Sequence, residues 1–114
     1  MFIDKDVIRE NLRYFDKSVI VQIIDLFMEE YPFRFIELQE NIIELDFGRI
    51  NNNAHKLKGV VAYFSQEITQ LAWQLEEHGK ESNSEGLQQI FDELKAGTLQ
   101  LGTTLLEMRP EYEM

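Results

Sequence analysis

The stretch NAHKLKGVVAYF, residues 53–64, sets the helical repeat around which the rest of this sequence is arranged. Apolar residues recur here every three or four positions, as on one face of an α-helix: Ile50, Ala54, Leu57, Val61 and Phe64. At about 100° per residue, His55 lies roughly 140° from the centre of this face. The pattern therefore predicts a helix that buries its apolar face and holds His55 in solvent.

The face of the predicted helix around His55 combines polar and small residues. Residues three, four and seven positions apart share a helical face. This spacing places five residues near His55: Asn51, Lys58, Gly59, Ala62 and Gln66. The candidate site therefore contains an exposed imidazole, an ammonium one turn away, and small side chains that leave space in front of the ring.

The sequence before this stretch predicts one short helix and one long helical segment. Asp4 is placed to cap the short helix, whose apolar residues are Val7, Ile8, Leu12 and Phe15. Asp16 is placed to cap the long segment, whose apolar face continues for about eight turns through Ile20, Ile24, Phe27, Tyr31, Phe35, Leu38, Ile42 and Leu45. Pro32 removes a backbone hydrogen bond within this segment. We therefore expect either one long bent helix or two nearly collinear helices broken near Tyr31.

Two capping residues define the helices in the middle of the chain. Asp46 is placed to cap the helix that carries His55, and Ser65 to cap the next one. Gly79 is expected at the C-cap of that next helix, with His78 solvated near the negative end of the helix dipole. Its inner face contains Ile68, Leu71, Ala72 and Leu75. Trp73 lies off this face and has two interpretations: packing against a flanking helix, or membership of a docking surface.

The last predicted helix follows a polar loop at residues 80–84. Ser82 and Glu85 have the spacing of a capping box before this helix. Pro110 should end it, and the tail from Glu111 is expected to fray. Its apolar face contains Leu87, Ile90, Phe91, Leu94, Thr98, Leu101, Leu105 and Met108, and Gly97 and Gly102 predict a close helix approach.

These segments together predict an all-α fold. No strand pattern, internal repeat or low-complexity tract interrupts the amphipathic helices. Long helices joined by short polar turns indicate an up-down antiparallel four-helix bundle with an additional short N-terminal helix. We expect residues 1–114 to form a single domain, because the length suits one domain with its own core.

Composition excludes several functional classes. The formal net charge of −10, from 11 basic and 21 acidic residues, disfavours nucleic-acid binding, which depends on phosphate neutralisation by Lys and Arg. The chain has no cysteine and two histidines, which argues against a thiol nucleophile and against a His-rich metal site. No apolar run approaches the roughly 20 residues of a membrane span, and the N-terminus is not a signal peptide. We therefore expect a cytoplasmic protein without a membrane contact. The leading methionine suits a free-standing protein, and the alternative is a domain excised from a longer protein.

The motif around His55 resembles that of a known family. The run Ala54-His55-Lys56-Leu57-Lys58-Gly59, followed by Leu75-Glu76 and Gly79, is similar to the histidine-containing phosphotransfer (HPt) domain of multistep phosphorelays. The resemblance includes residues 27–45 and the acidic turn at Asp46, and so covers most of the chain. It implies that His55 accepts a phosphoryl group from the phospho-aspartate of one receiver domain and passes it to the aspartate of another.

The residue types at the site suit this chemistry. A histidine with an ordinary pKa near 6.5 is largely neutral and nucleophilic at neutral pH. Phosphoryl transfer depends mainly on alignment and charge neutralisation, which Lys58 can supply. Gly59 and Ala62 leave room for a partner's aspartyl phosphate. Asn51 and Gln66 are candidate hydrogen-bond donors to the phosphate, and Tyr63 stands at the rim of the expected docking face.

The resemblance also implies partners. These are response-regulator receiver domains and a hybrid sensor histidine kinase, with the protein itself a monomer that needs no cofactor. Any Mg²⁺ should be bound by the receiver, because no carboxylate cluster is predicted on the His55 face. Residues 47–66 include Arg49, Lys56 and Lys58 but no acidic residue, and this basic segment would reduce the repulsion of a phosphoryl group.

The sequence departs from the family pattern at a few positions. Val60, Val61 and Ser65 stand where the family commonly has small residues and a second glycine, and Tyr63 replaces a short polar residue. We interpret the valines as repacking of the core. The departures bear on the choice of partner more than on phosphorylation.

Other functions remain to be distinguished. The sequence lacks nucleotide-binding, kinase, metalloprotease and serine-hydrolase motifs, so an independent enzyme is not expected. A histidine-kinase dimerisation domain would normally have an acidic residue after its histidine, where Lys56 stands here. The alternative from another class is a helical scaffold that docks signalling partners while His55 remains an unused surface residue.

Overall fold

The computed structural model describes residues 3–113, and these residues form five α-helices and no β-strand. The helices are α1 (Lys5–Leu12), α2 (Lys17–Glu44), α3 (Phe47–Val61), α4 (Gln66–Lys80) and α5 (Leu87–Met108), followed by a 3-10 helix (Arg109–Tyr112). The expected domain boundaries at residues 1 and 114, including the leading methionine, lie outside the described residues.

Four predicted N-caps occupy their expected positions. The Asp4 carboxylate accepts hydrogen bonds from the first turn of α1, and the Asp46 carboxylate accepts from Arg49 N at 3.2 Å. Ser65 Oγ accepts from Ile68 N at 3.2 Å at the start of α4. Asp16 precedes α2, although its side chain makes no capping hydrogen bond. The three capping side chains fix where α1, α3 and α4 begin.

The segment that contains Pro32 is a single helix. α2 continues from Lys17 to Glu44 with Pro32 inside it, so the alternative with two separate helices is wrong. The helix ends at Leu45, which adopts a left-handed conformation with φ of 52°. Leu45 is consequently exposed and does not extend the apolar face as predicted.

The four longer helices enclose one core. α2 packs against α3 and α5, and α4 also packs against α3 and α5, so that α3–α4 and α2–α5 form opposite sides of the molecule. All five helices contribute to one cluster of buried apolar residues. Phe27 of α2 connects this core to the end of α3, where Phe64 packs edge to face at 5.6 Å between ring centroids. All five residues of the stripe predicted around residues 53–64 are buried: Ile50, Ala54, Leu57, Val61 and Phe64.

Three local predictions are wrong in the first and last parts of the chain. Of the four apolar residues predicted for the first helix, Ile8 and Leu12 are buried, but Val7 and Phe15 are exposed. Ser82 and Glu85 do not form a capping box, because α5 begins after Gly86, whose φ is 69°. The tail does not fray at Glu111: the chain continues as the 3-10 helix, and Glu111 accepts two hydrogen bonds from Arg9 at 2.8 and 2.9 Å.

Gly79 is not a C-cap. α4 continues to Lys80 and is capped by Glu81, while Gly79 is buried inside its last turn. A Cβ at Gly79 would lie 2.6 Å from the main-chain nitrogen of Asn51 and 2.8 Å from the carbonyl oxygen of Phe47. The glycine is required because the backbones of α3 and α4 are in direct contact there.

Candidate functional site

His55 lies on the exposed side of α3, as its spacing from the apolar stripe predicts. Ala54 and Leu57, its neighbours on the buried face, are completely inaccessible to solvent. The His55 side chain is 64% exposed. The packing of α3 on the core therefore fixes the position of the imidazole without covering it.

The close contact between α3 and α4 brings Glu76 to His55. Gly79 allows the helix backbones to approach, and Glu76 lies one turn before it on α4. Asn51 strengthens the same contact, since its amide donates a hydrogen bond to the main-chain oxygen of Glu76 at 2.9 Å. Glu76 is thereby held at the boundary between the two helices, with its side chain only 14% exposed.

The carboxylate of Glu76 contacts both functional residues predicted on α3. Oε1 lies 2.8 Å from His55 Nδ1, and Oε2 lies 2.6 Å from Lys58 Nζ. Burial alone raises the pKa of Glu76, but the hydrogen bonds and charges of Lys58 and His55 outweigh it and hold the pKa below its ordinary value. Glu76 is therefore ionised at neutral pH.

This contact selects one tautomer of the imidazole. An ionised carboxylate can only accept hydrogen bonds, so the proton of a neutral His55 ring must be on Nδ1. Nε2 then has a free lone pair and, among residues 3–113, no hydrogen-bond partner. The arrangement leaves one nucleophilic nitrogen in solvent and one ring nitrogen that donates to a fixed acceptor.

The other predicted site residues divide into two groups. Asn51 is already engaged with α4, and Lys58, which is 27% exposed, is already paired with Glu76. Gly59 is exposed and has open space where a Cβ would stand.

The second group lies further along the chain and lines a depression of about 450 Å³ beside α1. It consists of Ala62, Tyr63 and Gln66, and the α1 region contributes Val7, Asn11, Tyr14 and Phe15. The structure thus joins His55 and Lys58 through Glu76 and places the second group beside α1.

Glu76 is the site residue that sequence reasoning missed. It stands next to Leu75 in the family-like motif, but its spacing alone did not indicate a contact with His55. Gly79, one turn away, marks the close approach of α3 and α4, but its contact with the α3 backbone is visible only in the structure. Glu76 also alters the charge expected at the site, because α4 supplies a carboxylate to the otherwise basic segment of residues 47–66.

The two remaining predicted residues differ in their environments. His78 is not simply solvated: its ring contacts the main-chain oxygens of Gln74 at 2.8 Å and Glu85 at 3.1 Å, and so connects α4 to the loop before α5. Trp73 is 47% exposed and lies three residues before Glu76, on a neighbouring part of the α4 surface. The ring is therefore only partly covered by its neighbours, and its membership of a docking surface stays a prediction.

Two features are absent from the described part of the chain. Across residues 3–113, no group of three or more His, Asp or Glu side chains is arranged to hold a metal ion. None of the helices in this range is both long enough and apolar enough to cross a membrane.

Comparison with known proteins places the chain in a family. The sequence model of the Hpt domain matches residues 22–104, which is most of the chain. No curated protein and no solved structure shows a significant match. With the match extending from α2 to α5 across the helices that carry His55, Lys58 and Glu76, the chain belongs to the Hpt domain family.

Proposed function

We propose that the protein is a phosphorelay intermediate in which His55 is the phosphoryl acceptor. Nε2 of His55 attacks the phosphorus of a receiver's aspartyl phosphate, the N–P bond forms, and the P–O bond to the aspartate breaks. The receiver's carboxylate leaves with the bonding electrons. The same steps in reverse deliver the phosphoryl group to the aspartate of a second receiver. The observation that carries this proposal is the Glu76 acceptor at 2.8 Å from Nδ1, which leaves Nε2 unprotonated and exposed.

Glu76 and Lys58 have complementary effects during transfer. While Nε2 forms its bond and Nδ1 keeps its proton, the ring gains positive charge, which the Glu76 carboxylate stabilises. Lys58 supplies positive charge for the phosphoryl oxygens. Gly59 keeps the space beside them open, because nothing lies within 4 Å of its missing Cβ. Asn51 and Gln66 remain secondary candidates for contacts with the phosphate.

The receiver docks on the side of the molecule that carries His55. Exposed aromatic residues lie on the helices of this side: Trp73 on α4, and Tyr63 with the α1 residues around the depression. The Tyr63 and Phe15 rings pack edge to face with centroids 5.9 Å apart, which presents a preformed apolar surface. Tyr63 is therefore a docking residue, and the short polar residue common in the family would not provide this contact.

The remaining features of the proposal follow from a carrier function. The donor is a hybrid sensor histidine kinase or its receiver, and the final acceptor is a response regulator. Mg²⁺ belongs to the receiver, and the protein itself has no nucleotide site and no independent turnover. It acts as a cytoplasmic monomer formed by one domain, with α2–α5 arranged as an up-down antiparallel bundle, which the short connections and the neighbouring pairs of helices support.

Incubation with a phosphorylated receiver and Mg²⁺ tests this function. Wild type should acquire a phosphate that is labile in acid and stable in base, and His55→Gln should acquire none. His78→Gln is the matched control, because it removes the other histidine and should still be phosphorylated. Circular dichroism would verify that both variants are folded. If a broad panel of receivers fails to phosphorylate wild type, the protein is a scaffold and the proposal is refuted.

A further inference from the structure

A second surface, unrelated to His55, runs along the outer side of α2. Its residues follow the heptad spacing of alternating three and four positions that is typical of a coiled-coil seam. They lie on the side of α2 roughly opposite its buried face. We call this surface the outer seam, and it consists of Leu26, Glu29, Phe33, Ile36, Glu40 and Ile43.

The outer seam is exposed and apolar along most of its length. Phe33 is 53% exposed, Ile36 62% and Ile43 73%. The 18 residues from Leu26 to Ile43 span about 26 Å of helix. Ile36 and Glu40 also line a groove between α2 and α5, whose opposite wall includes Leu99, itself 47% exposed. An exposed apolar strip of this kind, interrupted only by Glu29 and Glu40, indicates a binding surface.

The geometry of the seam specifies a helical occupant. Heptad spacing presents side chains that interdigitate with a second helix lying nearly parallel to the first. The groove between α2 and α5 runs beside the seam, and Ile36 and Glu40 belong to both, so the groove adds contact area along one flank of such a helix.

The charge on α2 specifies the chemistry of that helix. Residues 25–44 contain six acidic residues and one basic residue, Arg34, whose guanidinium is already paired with Glu30 and Glu37. Glu29 and Glu40 are exposed within the seam itself. A bound helix therefore requires Lys or Arg opposite these two glutamates.

A second copy of this chain does not meet that requirement. The seam is palindromic, so that in an antiparallel pair Leu26 would face Ile43 and Phe33 would face Ile36. The same pairing places Glu29 opposite Glu40 twice, between two chains that each have a formal net charge of −10. A parallel pairing places each glutamate opposite its own copy. Either arrangement sets like charges against each other in the seam.

We infer that the outer seam of α2 binds an amphipathic helix of another protein, with apolar residues at its a and d positions and Lys or Arg facing Glu29 and Glu40. The seam borders α5, whereas His55 lies where α3 borders α4, on the opposite side of the molecule. The helix and a receiver can therefore be bound at the same time. Lys95 lines the α5 side of the groove and would repel a basic residue placed next to it.

A designed peptide tests this inference on the intact protein. The probe is a three-heptad helix with Leu and Ile at its a and d positions and Lys opposite the two glutamates, and its binding is followed by fluorescence anisotropy. Ile36→Asp should weaken binding at least about tenfold, while Ile36→Leu should preserve it. Because Ile36 is exposed, neither substitution threatens the core.

A charge exchange supplies the specificity test. The double variant Glu29→Lys with Glu40→Lys should lose at least about tenfold in affinity for the basic peptide and gain affinity for a peptide with Glu at the facing positions. Glu93→Lys, an exposed glutamate on α5 outside the seam, is the matched control and should not change the preference.

Three results would overturn the inference. The first is no binding of the basic peptide at concentrations up to about 1 mM. The second is equal binding of both peptides to wild type and to the exchanged variant. The third is evidence of a different occupant, either as competition between the peptide and a receiver domain or as sedimentation of wild type as a dimer that Ile36→Asp dissociates.

Discussion

Replacement of Glu76 by alanine isolates the effect of its carboxylate on His55. Oε1 accepts from His55 Nδ1 at 2.8 Å, and a hydrogen bond to a charged group contributes about 1.5–3 kcal/mol. Because the His55 side chain is 64% exposed, water competes for Nδ1 and the lower end of this range applies. About 1.4 kcal/mol corresponds to a tenfold change in rate. We therefore expect Glu76→Ala to slow phosphorylation of His55 about tenfold.

Two measurements separate this effect from a general loss of structure. Nitrogen-15 spectroscopy of the His55 ring reports which nitrogen is protonated, and wild type should show the Nδ1–H tautomer. Phosphorylation by phosphoramidate, a small donor that needs no docking surface, reports the reactivity of Nε2. Glu76→Ala should lose the tautomer preference together with the rate. Glu76→Gln should keep the preference, because its amide oxygen can still accept from Nδ1.

Glu77→Ala provides the matched control. It removes the same charge from the adjacent position of α4 but leaves the contacts of Glu76 intact, so both the tautomer and the rate should match wild type. If Glu76→Ala retains the Nδ1–H tautomer and the wild-type rate, the positioning role is refuted. A faster rate in Glu76→Ala would also contradict it, because the carboxylate would then act mainly by repelling the phosphoryl donor.

Three further predictions concern stability and docking. Gly79→Ala should lower the free energy of unfolding by about 1–3 kcal/mol because its Cβ would collide with the backbone of α3, whereas Gly59→Ala should raise it by up to about 1 kcal/mol; equal stability of the two variants in urea would contradict the helix contact. Hydrogen bonds from Arg109 hold the pKa of Asp25 below its ordinary 3.8, so this ion pair stabilises the protein above that pH and its contribution is lost as the pH falls through the folded pKa. Asp25→Asn should accordingly be less stable than wild type at pH 7 and equally stable in strong acid, and a constant difference in thermal unfolding across this range would refute the assignment. Tyr63→Ala should raise the receiver concentration needed for half-maximal phosphotransfer about tenfold, and an unchanged concentration would exclude Tyr63 from the docking surface.

Local sequence patterns predicted most of the helices because each pattern reports on one element. The stripe that includes Leu57 fixes the buried face of α3 through its spacing, and Asp46 fixes the start through its cap. Gly79 shows where this reasoning fails. Its position near the end of α4 suggested a C-cap, but the need for glycine arises from the backbone of α3, which no pattern within α4 reveals.

The same distinction, between features of a single helix and contacts between helices, applies to the candidate site. The exposure of His55 and its proximity to Lys58 depend on the rotation of one helix, and sequence spacing predicted both. The contact with Glu76 depends on how closely α4 approaches α3 and on the rotation of α4 about its axis. Those quantities are set by packing between helices, so the carboxylate could be located only in the structure.

The charge balance of the site explains why a carboxylate is compatible with a phosphoryl carrier. With a neutral imidazole, the group formed by His55, Lys58 and Glu76 has no net charge, because the lysine and the glutamate neutralise each other at 2.6 Å. A phosphoryl group adds about −1.5 to −2 charges and must share the Lys58 ammonium with Glu76. The phosphorylated state is therefore held less tightly than it would be by an unpaired lysine. For the function proposed here, this weaker hold is an advantage, because a carrier that stabilised its phosphohistidine strongly would raise the barrier for transfer to the next aspartate.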